Sequence, residues 1–353
     1  GYKDINITVR EKSTGQVQFG VGFSSIDSLI GIIELQQTNF DLWNWPNFTG
    51  AGQKFRTRVQ YGDKRRDFAV EFTEPWFMDR QLSLGGELFY RNALYFSDYY
   101  DQLNMGAAVF LRKPLGEKAY IKGEYRFERI EIDADDDGVA ATADDYFAGL
   151  DEEYMRSSFG LNYVYDSRDS NQTPREGHKV DLGVNYAGLG GDVNTVTFSA
   201  SGQKYWNLAW DTILSVNGEI GMVDSTNSDD VPIFDRQFLG GARTLRGFEF
   251  RDVGPRDAAS KEVIGGNSMG WLSVEYTVPL FEQVRGAVFY DAGFVNADSF
   301  DFSPSDYYSD YGVGLRLNLP FGPLAFDYAL PLESPDLEAD KGGQFNFYLD
   351  YKF

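Results

Sequence analysis

Gly15-Gln16-Val17-Gln18-Phe19-Gly20-Val21-Gly22-Phe23 alternates without a break. Val17, Phe19, Val21 and Phe23 share one face of an extended chain, and Gln16, Gln18, Gly20 and Gly22 share the other. Successive strand side chains point to opposite faces, so this stretch predicts a strand with one apolar and one polar surface. The same code recurs outward from it. Leu29, Gly31, Ile33 and Leu35 alternate, and Phe55, Thr57, Val59 and Tyr61 oppose Lys54, Arg56, Arg58 and Gln60. Ile121, Gly123, Tyr125 and Phe127 oppose Lys122, Glu124, Arg126 and Glu128. The last run is Phe345, Phe347, Leu349, Tyr351 and Phe353. About sixteen such runs can be read, an even number of the kind that closes a single-chain membrane barrel.

Composition narrows the class. The 353 residues hold no Cys and one His, and carry a net charge of −22. No apolar run approaches the roughly 18 residues of a membrane-spanning helix. Yet Phe, Tyr and Trp make up 16% of the chain. A polar average with many aromatics fits a transmembrane β-barrel, whose outward apolar residues alternate with inward polar ones. A large soluble β-protein is the lesser alternative on composition, and the connections decide. Every other one is expected to be short and rich in Pro or aromatics, as at Trp43-Asn44-Trp45-Pro46, Glu74-Pro75-Trp76-Phe77 and Trp206-Asn207-Leu208-Ala209-Trp210. The alternate set holds long acidic loops near 130–153, 224–267, 296–307 and 331–343. Sorting of loops by parity belongs to a barrel with two different rims, and Trp suits a lipid interface. The expected fold is all-β: an antiparallel transmembrane barrel of about sixteen strands. The acidic balance argues against a nucleic-acid partner, which requires clustered Lys and Arg.

The segment from about Asp224 to Asn267 has almost no strand pattern and is too long for a mere connector. At its centre stands Leu245-Arg246-Gly247-Phe248, preceded by Gly240-Gly241 and followed by Gly254-Pro255. Gly247 would let the backbone approach a wall, Phe248 would pack, and the guanidinium would need a partner. An ordinary turn with a solvated Arg is the other possibility. Inward rows such as Lys54, Arg56 and Arg58 need water or each other. His178, the single His, follows Gly177 at a strand start, and no Gly-x-Ser-x-Gly elbow accompanies it. Nothing here points to an enzyme.

Several stretches together resemble the barrel of the BamA-type β-barrel assembly proteins, a superfamily that also includes two-partner secretion translocators. Thr14–Phe23 resembles the family's first strand, and Gly240-Gly241-Ala242-Arg243-Thr244-Leu245-Arg246-Gly247-Phe248 its sixth-loop signature, with Leu245 where Val or Ile is usual. Gly265-Gly266-Asn267-Ser268-Met269, Ser273-Val274-Glu275-Tyr276, Phe289-Tyr290-Asp291-Ala292-Gly293, Gly322-Pro323-Leu324 and the final Phe353 match later elements. The similarity runs over nearly the whole chain. It implies that the sixth loop folds into the lumen and that Arg246 pairs with Glu275 and Asp291. It implies folding and insertion of other barrels into the outer membrane, without ATP, through a lateral gate. The gate would lie between the first strand (Gly15, Val17, Phe19, Gly20, Gly22) and the last (Phe345, Phe347, Leu349, Tyr351, Phe353). Expected partners are unfolded outer-membrane proteins, the lipid bilayer with lipopolysaccharide, and accessory assembly lipoproteins. The expected location is the outer membrane of a Gram-negative-type bacterium with a periplasmic N-terminus. Residues 1–12 are expected to be the tail of a periplasmic POTRA-type repeat of a longer protein, and 13–353 the barrel. Two rival functions remain: a two-partner secretion or autotransporter-assembly translocator, which shares the Arg-Gly loop, and a passive porin, which lacks it.

No cofactor is expected, with one possible exception. Asp133, Asp135, Asp137, Gly138 and Asp144 stand at the first, third, fifth, sixth and twelfth positions of a calcium loop. Asp at the twelfth position reaches less far than the usual Glu, and a solvated acidic loop is the alternative. The spacing predicts weak calcium binding, with Kd roughly 10⁻⁴–10⁻³ M. Calorimetric titration should give heat with the wild type and less with Asp135→Ala; equal heats, or none in either, would remove the site.

Overall fold

A computed structural model describes residues 13–24, 28–94, 97, 99–134, 146–147, 150, 152–227, 229–319, 322–335 and 342–349. Sixteen strands run in chain order: β1 Gly15–Ser24, β2 Ser28–Phe40, β3 Gln53–Gly62, β4 Arg65–Glu74, β5 Ser83–Ala93, β6 Tyr100–Pro114, β7 Ala119–Ala134 and β8 Glu152–Asp166. The second half comprises β9 Gly177–Gly191, β10 Thr195–Asn207, β11 Ile213–Ser225, β12 Ser268–Phe281, β13 Val284–Asn296, β14 Tyr308–Leu319, β15 Gly322–Glu333 and β16 Gln344–Leu349. Each strand pairs antiparallel with its sequence neighbours, and β1 meets β16 to close the barrel.

The alternation has the expected physical meaning. Phe19 is 75% exposed and Leu88 61%, both on the outer surface, whereas Glu34 on the opposite face of β2 is 2% exposed. Apolar side chains that face outward on every strand are buried by lipid, so the barrel spans a membrane. The inward charges find one another: Arg56 donates to Glu34 at 2.7 Å, Lys122 to Glu124 at 2.6 Å and Arg126 to Glu124 at 2.8 Å. Trp43, Trp45 and Trp210 protrude from the short-turn rim. Two connections there are longer than expected, 41–52 and 167–176. The second is a turn organised by Asp169, whose carboxylate accepts the N–H groups of Arg175 and Glu176. Slight burial pushes the Asp169 carboxyl up, and these backbone donors outweigh it and hold it low. His178 packs beside this turn, with Nδ1 3.1 Å from Ser167 Oγ and its ring stacked on Tyr165.

The apolar core lies inside the opposite rim. The loop 226–267, called loop 6 below, contributes Leu239, Leu245, Phe248 and Val253 to one cluster with Met269, Val295 and Tyr308. A second cluster joins Ile233 to Tyr100, Ile130, Ile132 and Phe147. Loop 6 therefore packs against walls far apart around the barrel. Of the calcium-loop residues, Asp133 is an exposed end of β7; Asp135, Asp137 and Asp144 lie outside the described residues, as do 1–12, Tyr351 and Phe353.

The outward set makes a direct prediction. Leu88→Arg places a cation on the lipid face midway along β5 and should destabilise the folded barrel by about 2–4 kcal/mol. Denaturant titration in bilayers checks it; a wild-type midpoint would contradict a lipid-facing Leu88.

Candidate functional site: the loop 6 clasp

The site begins with a tight turn. Gly240 and Gly241 take φ of +107° and +92°, values that side chains rarely adopt. The Gly241 N–H donates to the carbonyls of Leu245 (3.1 Å) and Phe248 (3.0 Å), and the Thr244 hydroxyl accepts from the Gly240 N–H at 3.0 Å. This knot buries Leu245 and Phe248 in the first cluster and turns Arg246 toward the barrel wall. Gly247 then lies against β14. A Cβ there would collide with the Asp310 side chain and crowd the backbone nitrogen of Pro331.

The Arg246 guanidinium is nearly saturated. Nε and Nη2 donate to the two oxygens of Asp291, at 2.7 and 2.8 Å. Nη1 donates to Glu275 at 2.7 Å, and Nη2 also reaches Ser273 Oγ at 3.1 Å. The plane lies over the Phe289 ring, 3.3 Å from its centroid. Register explains the convergence: Ser273 faces Asp291 across β12–β13, and Glu275 faces Phe289. Glycine makes the room, because a Cβ at Gly312 would strike the Phe289 ring and one at Gly314 would strike Asp327. Behind Glu275 stands Arg316, which donates to Glu275 at 2.6 Å and to Asp327 at 2.7 Å. Asp327 also lies 3.7 Å from Arg246 Nη1.

Burial is nearly complete: Arg246 is 6% exposed, Asp291 0% and Asp327 1%. Desolvation alone would lower the Arg246 pKa. The hydrogen bonds and charge of Asp291, with the charges of Glu275 and Asp327, outweigh it and raise the pKa. The cation is therefore permanent, and a planar fork suits a two-point grip on Asp291 that an ammonium cannot make.

Arg246, Glu275 and Asp291 thus lie together in this structure. Ser273, Phe289, Arg316, Asp327 and Asn346 were missed, although each sits at a polar or exceptional position of an alternating run. A second anchor was also missed. Asp235 of loop 6 binds Arg156 of β8, which also donates to Glu128 at 2.6 Å, and accepts from Thr195 of β10 at 2.8 Å. Arg251 donates to the Tyr100 hydroxyl of β6 at 3.0 Å. Loop 6 is consequently fastened to β12–β13 at one end and to β6–β10 at the other.

Around the seam, β1 and β16 share one register pair among the described residues, Ser24 opposite Tyr348. By contrast, β1 follows β2 from Gly15↔Gln37 to Ser24↔Ser28. Phe23 and Phe347 touch across the seam, ring centroids 4.7 Å apart. Gly15, Val17, Phe19, Gly20 and Gly22 lie in β1, and Phe345, Phe347 and Leu349 in β16.

A sixteen-stranded transmembrane barrel whose longest loop is clasped inside its own lumen defines the class. The model of the Omp85 superfamily domain matches residues 47–353, and the chain belongs to that family. It is 28% identical to the outer membrane protein assembly factor BamA of Nitratidesulfovibrio vulgaris, over 99% of this chain and 43% of that protein. It is 23% identical to the sorting and assembly machinery component 50 homolog B of Xenopus laevis, over 92% of this chain and 70% of that protein. The chain spans less than half the length of the bacterial relative. Among solved structures, BamA from Haemophilus ducreyi lacking POTRA domains 1–3 superposes with a TM-score of 0.82 at 22% identity, covering 98% of this chain and 71% of that one. CdiB from Acinetobacter baumannii gives 0.62 at 14%, covering 97% and 60%. The fold is that of the BamA-type barrel.

The clasp predicts a stability loss. Arg246→Ala leaves buried carboxylates without their cation and should cost about 3–5 kcal/mol. Heat resistance of the folded barrel on gels should fall, and Arg246→Lys should recover only part of it. Wild-type resistance in Arg246→Ala would show that the clasp contributes nothing.

Proposed function

We propose that this barrel folds and inserts other β-barrel proteins into an outer membrane, and that its working edge is the β1–β16 seam. The observation that carries the reading is that, among the described residues, β1 shares one register pair with β16, Ser24 with Tyr348, whereas it follows β2 from Gly15 to Ser24. Gly15, Gly20 and Gly22 weaken β1 further, since Gly adds chain entropy and packs nothing. An opened β1 offers a row of unpaired backbone groups, a template for strand addition. In lipid each unpaired group costs several kcal/mol, so a substrate strand is driven to pair there, and no covalent step is needed. The bacterial relative is named an outer membrane protein assembly factor, which supports the same reading. Its substrates would be unfolded outer-membrane proteins. Accessory lipoproteins, lipopolysaccharide contact, periplasmic repeats before β1 and a periplasmic N-terminus belong to this proposal.

The CdiB likeness supports a second reading, a secretion translocator of the same superfamily, on fold alone. A passive porin is the weaker reading, because loop 6 crosses the lumen between two sets of anchors.

A disulfide across the seam tests the gate. Ser24 and Tyr348 are opposite on paired strands, a separation a disulfide spans, and the chain has no Cys of its own. In the full-length protein, Ser24→Cys with Tyr348→Cys should stop insertion of a reporter barrel when oxidised and recover it on reduction. Insertion at the wild-type rate by the oxidised barrel would falsify the gate.

A further inference from the structure

The two strands of the seam are held very differently on their lumen sides. Asn346, midway along β16 and 6% exposed, donates from Nδ2 to the main-chain carbonyl of Arg246 at 2.7 Å. It sits opposite Asp327 on β15, so the hydrogen bond joins the last strand to the same residue that the clasp immobilises. Arg243, also in loop 6, lies over the Tyr348 ring at 6.0 Å. The lumen face of β1 has no such tie among the described residues. It presents Gln16, Gln18, Gly20 and Gly22, and Gln18 donates to Gln16 on its own strand at 3.3 Å.

We propose that Asn346 is a positioning residue that latches β16 to loop 6 and braces the last strand of the barrel from within the lumen. The chemistry is specific. The acceptor is a backbone carbonyl, which no substitution at 246 removes, and the donor must be a short side-chain amide. Because Arg246 binds Asp291 and Glu275 through its guanidinium and Asn346 through its carbonyl, one residue ties β12, β13 and β16 together. β16 is thereby braced from within the lumen, independently of its backbone pairing to β15. β1 is paired along its length with β2, and among the described residues it meets β16 at Ser24 opposite Tyr348 and through the Phe23–Phe347 contact. Its consequence for insertion rests on the assembly reading above; the latch itself does not.

Amide hydrogen exchange on the full-length protein in bilayers separates the two. Asn346→Leu keeps nearly the same size and removes the donor; Asn346→Ala serves if that variant does not fold. In the wild type the amides of 344–349 should exchange more slowly than those of 15–24. In the variant, exchange at 344–349 should quicken several-fold, up to about tenfold, the effect of one buried hydrogen bond. Amides of 268–296 should keep their wild-type rates, which a general loss of structure would not allow. Unchanged exchange at 344–349, or equal acceleration in β1 and β16, would overturn the latch. A reporter barrel inserted by the same samples reads the other question. Insertion absent even in the wild type would sink the assembly reading and leave the exchange result to decide the latch.

Discussion

A buried guanidinium sets the terms for the rest of the structure. Arg246 cannot stay in the lumen wall unless carboxylates meet it, because an unpaired buried charge costs several kcal/mol. The barrel meets this demand with Asp291 and Glu275, and Arg316 and Asp327 complete the network. Two cations thus stand against three anions in one hydrogen-bonded cluster. Such networks are not sums of pairs, since removal of one member leaves the others under-satisfied in a low-dielectric site. Loop 6 inherits the rigidity. Its backbone is knotted by Gly240, Gly241 and Thr244, and its apolar residues fill the space beside the clasp.

The fold was legible because lipid outside and polar lumen inside impose opposite demands on successive residues. That constraint writes period 2 directly into the chain, so Val17, Phe19 and Phe23 declared their face without help from any partner. The loops declared their rims only in part: 63–64 and 192–194 are short turns on the long-loop rim, and 41–52 is long on the other. The site was legible only in part, for a physical reason. Alternation says that Arg316, Asp327 and Asn346 face inward, and says nothing about which strand they meet. Register decides that, and it is set by turns and bulges between strands. Asn346 reaches a carbonyl one hundred residues away in sequence, and Asp235 reaches Arg156 across seventy-nine. Phe289 carried a different signal: an aromatic on the polar face, which made sense only once the Arg246 plane lay on it.

The second anchor changes how the loop acts mechanically. A loop tied only to β12–β13 would be a flap; one tied also to β8 and β10 through Asp235 is a strut across the lumen. Its ends use the same chemistry, Arg with carboxylates, with the roles reversed: the loop supplies the cation at one end and the anion at the other. Ile233 beside Asp235 and Leu245 beside Arg246 add apolar burial at each end. Because each end is fixed by charge and by packing, the strut resists both rotation and withdrawal.

A barrel that opens at one seam, as proposed above, would need such a strut. Closure normally holds a barrel's shape, since every strand pairs on both sides and no edge exists. If one pairing is reduced to a short stretch near Ser24 and Tyr348, the hoop no longer fixes the curvature of the wall beside it. The internal tie from β8 and β10 through loop 6 to β12, β13 and β16 replaces part of that constraint, because it spans the lumen rather than following the wall. The half of the barrel from β12 to β16 can then keep its form whether or not β1 is paired. Among the described residues the strut reaches the first strands only at β6 and the turn before it, through the bond between Arg251 and Tyr100, the packing of Ile233 on Tyr100 and the bond between Ser97 and Glu262. On the lumen side, the charged clasp therefore reaches the seam through β16, by way of Asn346.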